Sequence, residues 1–149
     1  MIDVQRSFVV NQPVDVVVAY MKDFANAEEW DPGTKSCVQQ STGPVQQGTI
    51  WHNVSVIKGK ETELTYRLDR FEPGHLIFIG ENKTATSIDD ITIEESETGS
   101  LITYHAQITF NGLAKLAGPF LQSEFERLGD ETAEKITQAV NGLSKGVAQ

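Results

Sequence analysis

Two stretches of this chain alternate cleanly between apolar and polar residues. In 100–110, Ile102, Tyr104, Ala106, Ile108 and Phe110 fall on one side, and Leu101, Thr103, His105, Gln107 and Thr109 on the other. In 61–68, Thr62, Leu64, Tyr66 and Leu68 oppose Glu61, Glu63, Thr65 and Arg67. A period of two is that of a strand with one face wet and the other covered. Around these stretches, segments rich in Thr, Val, Ile and aromatics are separated by turn chemistry. The turns are Ser41-Thr42-Gly43-Pro44, Lys58-Gly59-Lys60, Glu72-Pro73-Gly74, Gly80-Glu81-Asn82-Lys83 and Glu97-Thr98-Gly99. They predict strands at 34–41, 48–57, 61–71, 75–80, 84–95 and 100–110, and residues 2–10 add a seventh. Links this short force antiparallel pairing, because a parallel crossover needs a dozen or more residues.

Two other segments have a helical period. After Asn11-Gln12-Pro13, a helix entry with Pro13 where its missing N–H costs nothing, Val17, Ala19, Tyr20 and Phe24 form a stripe over 14–24. A second short helix over 24–31 ends at the breaker Trp30-Asp31-Pro32-Gly33. Near the C-terminus, Leu113, Leu116, Ala117, Phe120, Leu121, Phe125, Leu128, Ile136, Val140 and Leu143 recur mostly at steps of three and four. Gly118-Pro119 interrupts the start, so a short helix or turn is expected at 112–118 and a long helix at 119–143. At the usual rise, such a helix spans roughly 37 Å, enough to cover a whole sheet. Gly129 inside it costs about 1 kcal/mol relative to Ala, and a close approach to the sheet, a bend or a neutral surface position would each account for it. The order is strand, two short helices, six strands and one long helix, an α+β arrangement expected to form one domain over residues 1–149.

Composition narrows the function classes. Hydrophobic residues make up 39% and charged residues 22%, a globular balance. A formal net charge of −9 argues against nucleic acid and against adsorption to anionic lipid, both of which need clustered Lys and Arg. No apolar run reaches the length of a signal or spanning segment, so a cytoplasmic location is the expectation. Cys37 is the single cysteine, which excludes an internal disulfide and a multi-cysteine metal site. No phosphate-cradling glycine motif or nucleophile elbow is present, and no cofactor is expected.

Particular residues strengthen the fold assignment. The first strand is followed by Asn11-Gln12-Pro13-Val14-Asp15-Val16-Val17, then Tyr20-Met21-Lys22-Asp23-Phe24 and Trp30-Asp31-Pro32. Further on come Gly48-Thr49, Phe71-Glu72-Pro73-Gly74 and Gly99-Ser100-Leu101-Ile102-Thr103-Tyr104. In order and spacing these resemble the START/Bet v 1-like (SRPBCC) superfamily, especially its bacterial polyketide cyclase/dehydrase-like members. Ser100 departs from the usual Thr. The resemblance covers essentially the whole chain and implies the helix-grip fold, a seven-stranded curved antiparallel sheet around the long C-terminal helix with a hydrophobic tunnel between them. It implies binding of a lipid-, sterol- or polyketide-like molecule, and in some members cyclisation or dehydration.

The chemical candidates lie on the strands. His52 shares its parity with Ile50, Val54 and Val56, the more apolar set, which would aim it at the cavity as an acid or base. The opposite parity, Trp51, Asn53, Ser55 and Ile57, would aim Trp51 there instead. Asp89 shares its parity with Ile91 and Ile93, but Asp90 shares that of Ile88, so either carboxylate qualifies as the inward one. An inward Asp89 near His52 or Tyr66 would form an acid–base group fit for enolisation and dehydration. His105 should point outward, and His75 sits in a Pro-Gly turn where solvent reaches it. The candidate ligand contacts are Trp30 near the tunnel entrance, Trp51, Tyr66, Phe78 and Tyr104 as walls, and Phe120, Leu121, Phe125 and Leu128 from the helix. Three readings follow. One is a binding module for a small hydrophobic molecule, as a monomer or homodimer. Another is a cyclase or dehydratase using His52, Asp89 and Tyr66, and the third is a protein-interaction module whose cavity is filled.

Overall fold

The computed structural model describes residues 1–143, and all their side chains except those of 113 and 117–120. The strands are β1 (Ile2–Val10), β2 (Thr34–Gln39), β3 (Ile50–Ile57), β4 (Lys60–Glu72), β5 (His75–Glu81), β6 (Ala85–Ser96) and β7 (Gly99–Phe110). They form one antiparallel sheet in the order β1-β7-β6-β5-β4-β3-β2. Strands β2 to β7 follow one another as a meander, and β1 returns to pair with β7 over its full length. The two chain-adjacent strands β1 and β2 therefore sit on opposite edges, and the segment between them must cross the whole sheet.

Helices α1 (Val14–Met21) and α2 (Ala27–Trp30) make that crossing, with a 3-10 turn at Phe24–Asn26 between them. The first helix stops three residues short of the Phe24 that its stripe predicts. Asp23 takes an extended conformation there and its carboxylate accepts from the Ala25 amide at 3.0 Å, starting a new turn. Phe24 is thereby rotated into the core. Register shifts in β2 at Thr34/Ser36 and in β4 at Leu68/Arg70 bend the sheet. A second 3-10 segment, Gly112–Ala117, leads into α3 (Gly118–Asn141).

The long helix packs chiefly along β1, with lesser contact to α2 and β7. Side chains join helix to strand. The Arg6 guanidinium donates to the Glu126 carbonyl at 2.9 Å and pairs with Glu126 at 3.0 Å and Asp130 at 2.8 Å. The Gln122 amide donates to the Asp3 carbonyl at 3.2 Å and accepts from its N–H at 3.4 Å. Asn141 accepts from the Asn11 amide at 2.8 Å.

Gly129 explains how the helix comes so near. A Cβ at this position would lie 2.6 Å from Val4 Cγ1. Of the bend, the close approach and the neutral surface position open to this glycine, the structure favours close approach. Gly129→Ala gains helix propensity of about 1 kcal/mol, but must displace a stiff β-branched side chain buried under the helix. The clash should prevail by about 1–2 kcal/mol. Thermal melting should show a lowered Tm for Gly129→Ala that is partly restored by adding Val4→Ala. Independent, additive losses would disprove the contact.

Candidate functional site

The space between sheet and helix is divided in two by side-chain size. Toward the end that carries α1, large aromatics fill it. The Phe24 ring lies 4.5 Å from both Tyr66 and Phe78, 5.9 Å from Trp30 and 6.0 Å from Trp51. Toward the β3–β4 hairpin, the inward positions carry smaller groups, Ser55, Ala85, Ser87 and Ala106, and a cavity of about 540 Å³ remains. Leu121, Phe125, Leu128 and Thr132 of α3 form its helical wall.

Strand parity places the candidate groups. On β3 the inward set is Trp51, Asn53, Ser55 and Ile57. His52 stands on the opposite face, half-exposed, with Nε2 3.0 Å from the Glu63 carboxylate. It is thus separated from Asp89 by the sheet itself. On β6, Ala85, Ser87, Asp89, Ile91 and Ile93 are buried inward. Asp90 faces out, 2.8 Å from His75. His75 opens β5 and is held between Asp90 and Glu72, rather than standing free in a turn. His105 points outward onto Asp3 at 2.8 Å.

Of the expected contacts, Tyr66, Tyr104, Leu121, Phe125 and Leu128 line the cavity, together with Asp89. Trp30, Trp51 and Phe78 do not. All three are fully buried in the aromatic cluster. Trp30 sits edge-on to Tyr104 at 5.8 Å and Trp51 donates to Asp23 at 3.3 Å, so neither stands at an entrance. Phe120 lies outside the described side chains. Tyr66 keeps its position because its ring lies flat on Gly80, directly opposite on β5, where any Cβ would run into the ring.

A second carboxylate joins Asp89. Asp31 follows α2 and lines the same cavity. Its Oδ1 accepts from the Gly33 amide at 2.9 Å and its Oδ2 from the Thr34 hydroxyl at 3.0 Å. A polar chain continues from Thr34 through Asn53 to Ser55, with Asn53 Nδ2 donating to Thr34 at 3.3 Å and the Ser55 hydroxyl to Asn53 at 2.7 Å. Ser55 returns to the cavity wall. In the sequence Asp31 carries only a turn signal, because Asp-Pro-Gly is an ordinary helix-ending turn.

Burial and proximity set the protonation states. Burial, reinforced by the charge of Asp31, pushes Asp89 up to about 8, with the Tyr104 hydroxyl donating to it in partial compensation. Burial also raises Asp31, while its Gly33 and Thr34 hydrogen bonds and the Lys135 charge pull it back. Tyr66 and Tyr104 are held well above the usual phenol range by burial and by the Asp89 charge, so both hydroxyls stay protonated. Cys37 is raised to about 12 by burial and is an inert thiol. Near neutral pH the cavity therefore presents a protonated Asp89, two phenols and the acceptor oxygens of Asp31 inside an apolar shell. Among the described residues, no group of three or more His, Cys, Asp or Glu is arranged to hold a metal.

With sheet, helix and cavity in view, the relatives fall into place. Residues 1–141 match the family described as polyketide cyclase/dehydrase and lipid transport. The chain belongs to that family. A START superfamily protein from Mycobacterium smegmatis shares the fold with a TM-score of 0.79 at 12% identity, over 95% of this chain and 99% of that one. The Zhui aromatase/cyclase of a Streptomyces species superposes with a TM-score of 0.72 at 12% identity, over 94% and 91% of the two chains. The di-domain aromatase/cyclase StfQ of the steffimycin pathway gives 0.70 at 11% identity, over 92% of this chain and 50% of that larger one. These identities speak to fold alone. A comparison with curated proteins finds no match. Among the described residues, no helix is long and apolar enough to cross a membrane.

In this family member the Asp89 carboxyl should leave a signature in stability. Its folded-state value near 8 lies above the unfolded value of about 4. Between those limits the unfolded chain has lost the proton that the folded chain keeps. Stability therefore falls as pH rises from about 4 to 8 and then levels off. Asp89→Asn removes that cost, so its Tm advantage over the wild type should be small near pH 4 and greatest near pH 8. A Tm difference independent of pH, followed by calorimetry, would contradict the buried-acid assignment.

Proposed function

We propose that the whole chain acts as one binding unit for a small, largely apolar molecule with a polar end, held between the sheet and α3. The cavity of about 540 Å³ carries this reading, being within the size range of small-molecule sites and lined mainly by apolar side chains with a few convergent polar groups. Tyr104, Asp89 and Asp31 supply the polar end, while Leu121, Phe125, Leu128 and Ile108 enclose the apolar body. The family's description and the fold of the Zhui aromatase/cyclase support a lipid- or polyketide-like occupant.

A catalytic reading is favoured by one observation, that Asp31, Asp89 and Tyr104 open onto the same cavity, where burial favours the protonated form of Asp89. Such a set could donate a proton to a carbonyl oxygen while accepting one from the adjacent carbon, which is enolisation. With the proton given instead to a β-hydroxyl, the C–O bond breaks, water leaves and a C=C bond forms, which is dehydration. His52 takes no part in it from the outer face. A filled interaction module fits less well, because the aromatic cluster occupies only part of the interior.

The neutral fluorescent probe N-phenylnaphthylamine should bind with a stoichiometry near one. Leu121→Arg places a cation in the apolar wall and should weaken it by about tenfold or more. Tyr66→Ala, which removes a ring from the cavity floor, should weaken it less. Saturable binding that ignores both changes would place the probe elsewhere and sink the cavity reading.

A further inference from the structure

We propose that this cavity selects amphipathic amines, an apolar body with one protonated nitrogen seated between Asp31 and Asp89. The inference rests on the cavity being a ligand site and specifies the chemical class that it takes.

Its basis is the charge pattern inside. Two carboxyls from separate elements, Asp31 after α2 and Asp89 in the middle of β6, open onto one cavity. The lysines that also line it, Lys58 and Lys60, belong to the β3–β4 hairpin at the end of the sheet. Asp89 is paired instead with Phe78 and Ala106 in the sheet's interior. Lys135, the cation that bears on Asp31, is exposed on α3. A buried carboxyl without a buried cation is costly in an apolar interior, and a cation delivered by the ligand relieves that cost.

The surrounding groups suit a nitrogen in particular. Asp31 already accepts from Gly33 and Thr34, so its geometry is fixed before any ligand arrives. An ammonium entering this cavity meets acceptor oxygens on Asp31 and Asp89, favours the ionised form of both, and finds aromatic faces at Tyr66 and Tyr104 that attract cations. A carboxylate head group would meet the Asp31 charge and be repelled. An alcohol or ketone finds donors in Asp89 and Tyr104 but cannot neutralise Asp31.

Three naphthalene probes of nearly equal size, naphthylethylamine, naphthylethanol and naphthylacetate, separate these cases by fluorescence titration at neutral pH. The amine should bind at least about tenfold more tightly than the alcohol, and the acid most weakly. Asp89→Asn should bring amine and alcohol to within about threefold of each other while leaving alcohol binding in place. Asp31→Asn retains an acceptor for the Gly33 amide and supplies the same test should the first variant not fold. Equal affinity of amine and alcohol in the wild type, or a preference that survives both substitutions, overturns the amine assignment and leaves the cavity reading standing. If no probe binds, both fall.

Discussion

The position of α3 against the edge strand β1 governs the interior. A helix carrying this apolar stripe would gain most by settling onto the middle of the sheet, where it would close the space beneath it. It is held at one margin instead. Gly129 lets the backbone approach Val4, and Gln122 pairs with both backbone groups of Asp3 as a neighbouring strand would. Arg6 fixes the register through Glu126 and Asp130. Those ion pairs are partly exposed and each is worth under about 1 kcal/mol, so their contribution is positional more than energetic. Gln122, for its part, occupies the outer edge of β1 at Asp3, whose backbone groups would otherwise be open to another strand.

Given that seam, the gradient of side-chain volume along the inward rows decides where space remains. On β6 the row runs Ala85, Ser87, Asp89, Ile91, Ile93. On β7 it runs from Ala106 to Tyr104 and Ile102. The bulky ends of both rows, with Phe24, Trp51 and Phe78, form a densely packed block. That block gives the small-residue end a rigid floor, since packed aromatics shift little without loss of contact. Tyr66 belongs to both regions. Its ring is clamped by Gly80 and Phe24, so its hydroxyl reaches the cavity in a set position.

The sequence revealed the strand order, the long helix and the inward rows of β4 and β7, because those rows alternate strongly in hydropathy. It was ambiguous on β3 and β6 for a physical reason. A strand that lines a cavity with polar groups carries Asn53 and Ser55 inward, while its outer face, as here with Val54 and Val56, carries β-branched residues suited to a pleated surface. Apolar parity alone then favours the wrong face, the one that carries His52, and leaves the choice between His52 and Trp51 open. Trp30, Trp51 and Phe78 were misplaced differently, since residue type distinguishes inside from outside but not core from cavity wall. Asp31 was hidden because the features that make it a turn residue also hold its carboxylate in the interior.

The carboxyl pair is the point at which fold and site make opposing demands. An apolar side chain at 89 would relieve the repulsion and desolvation that raise this acid, and would stabilise the chain. The protein instead satisfies Asp31 with Gly33 and Thr34, and links Thr34 onward through Asn53 to Ser55 in a connected polar set. Hydrogen bonds arranged in this way lower the cost of keeping a carboxylate inside while leaving the carboxyl open to the cavity. A strongly displaced acid facing a cavity is a candidate functional group. At this pair stability is given up for polar groups on a cavity wall, beside the space that the β1–α3 seam leaves open.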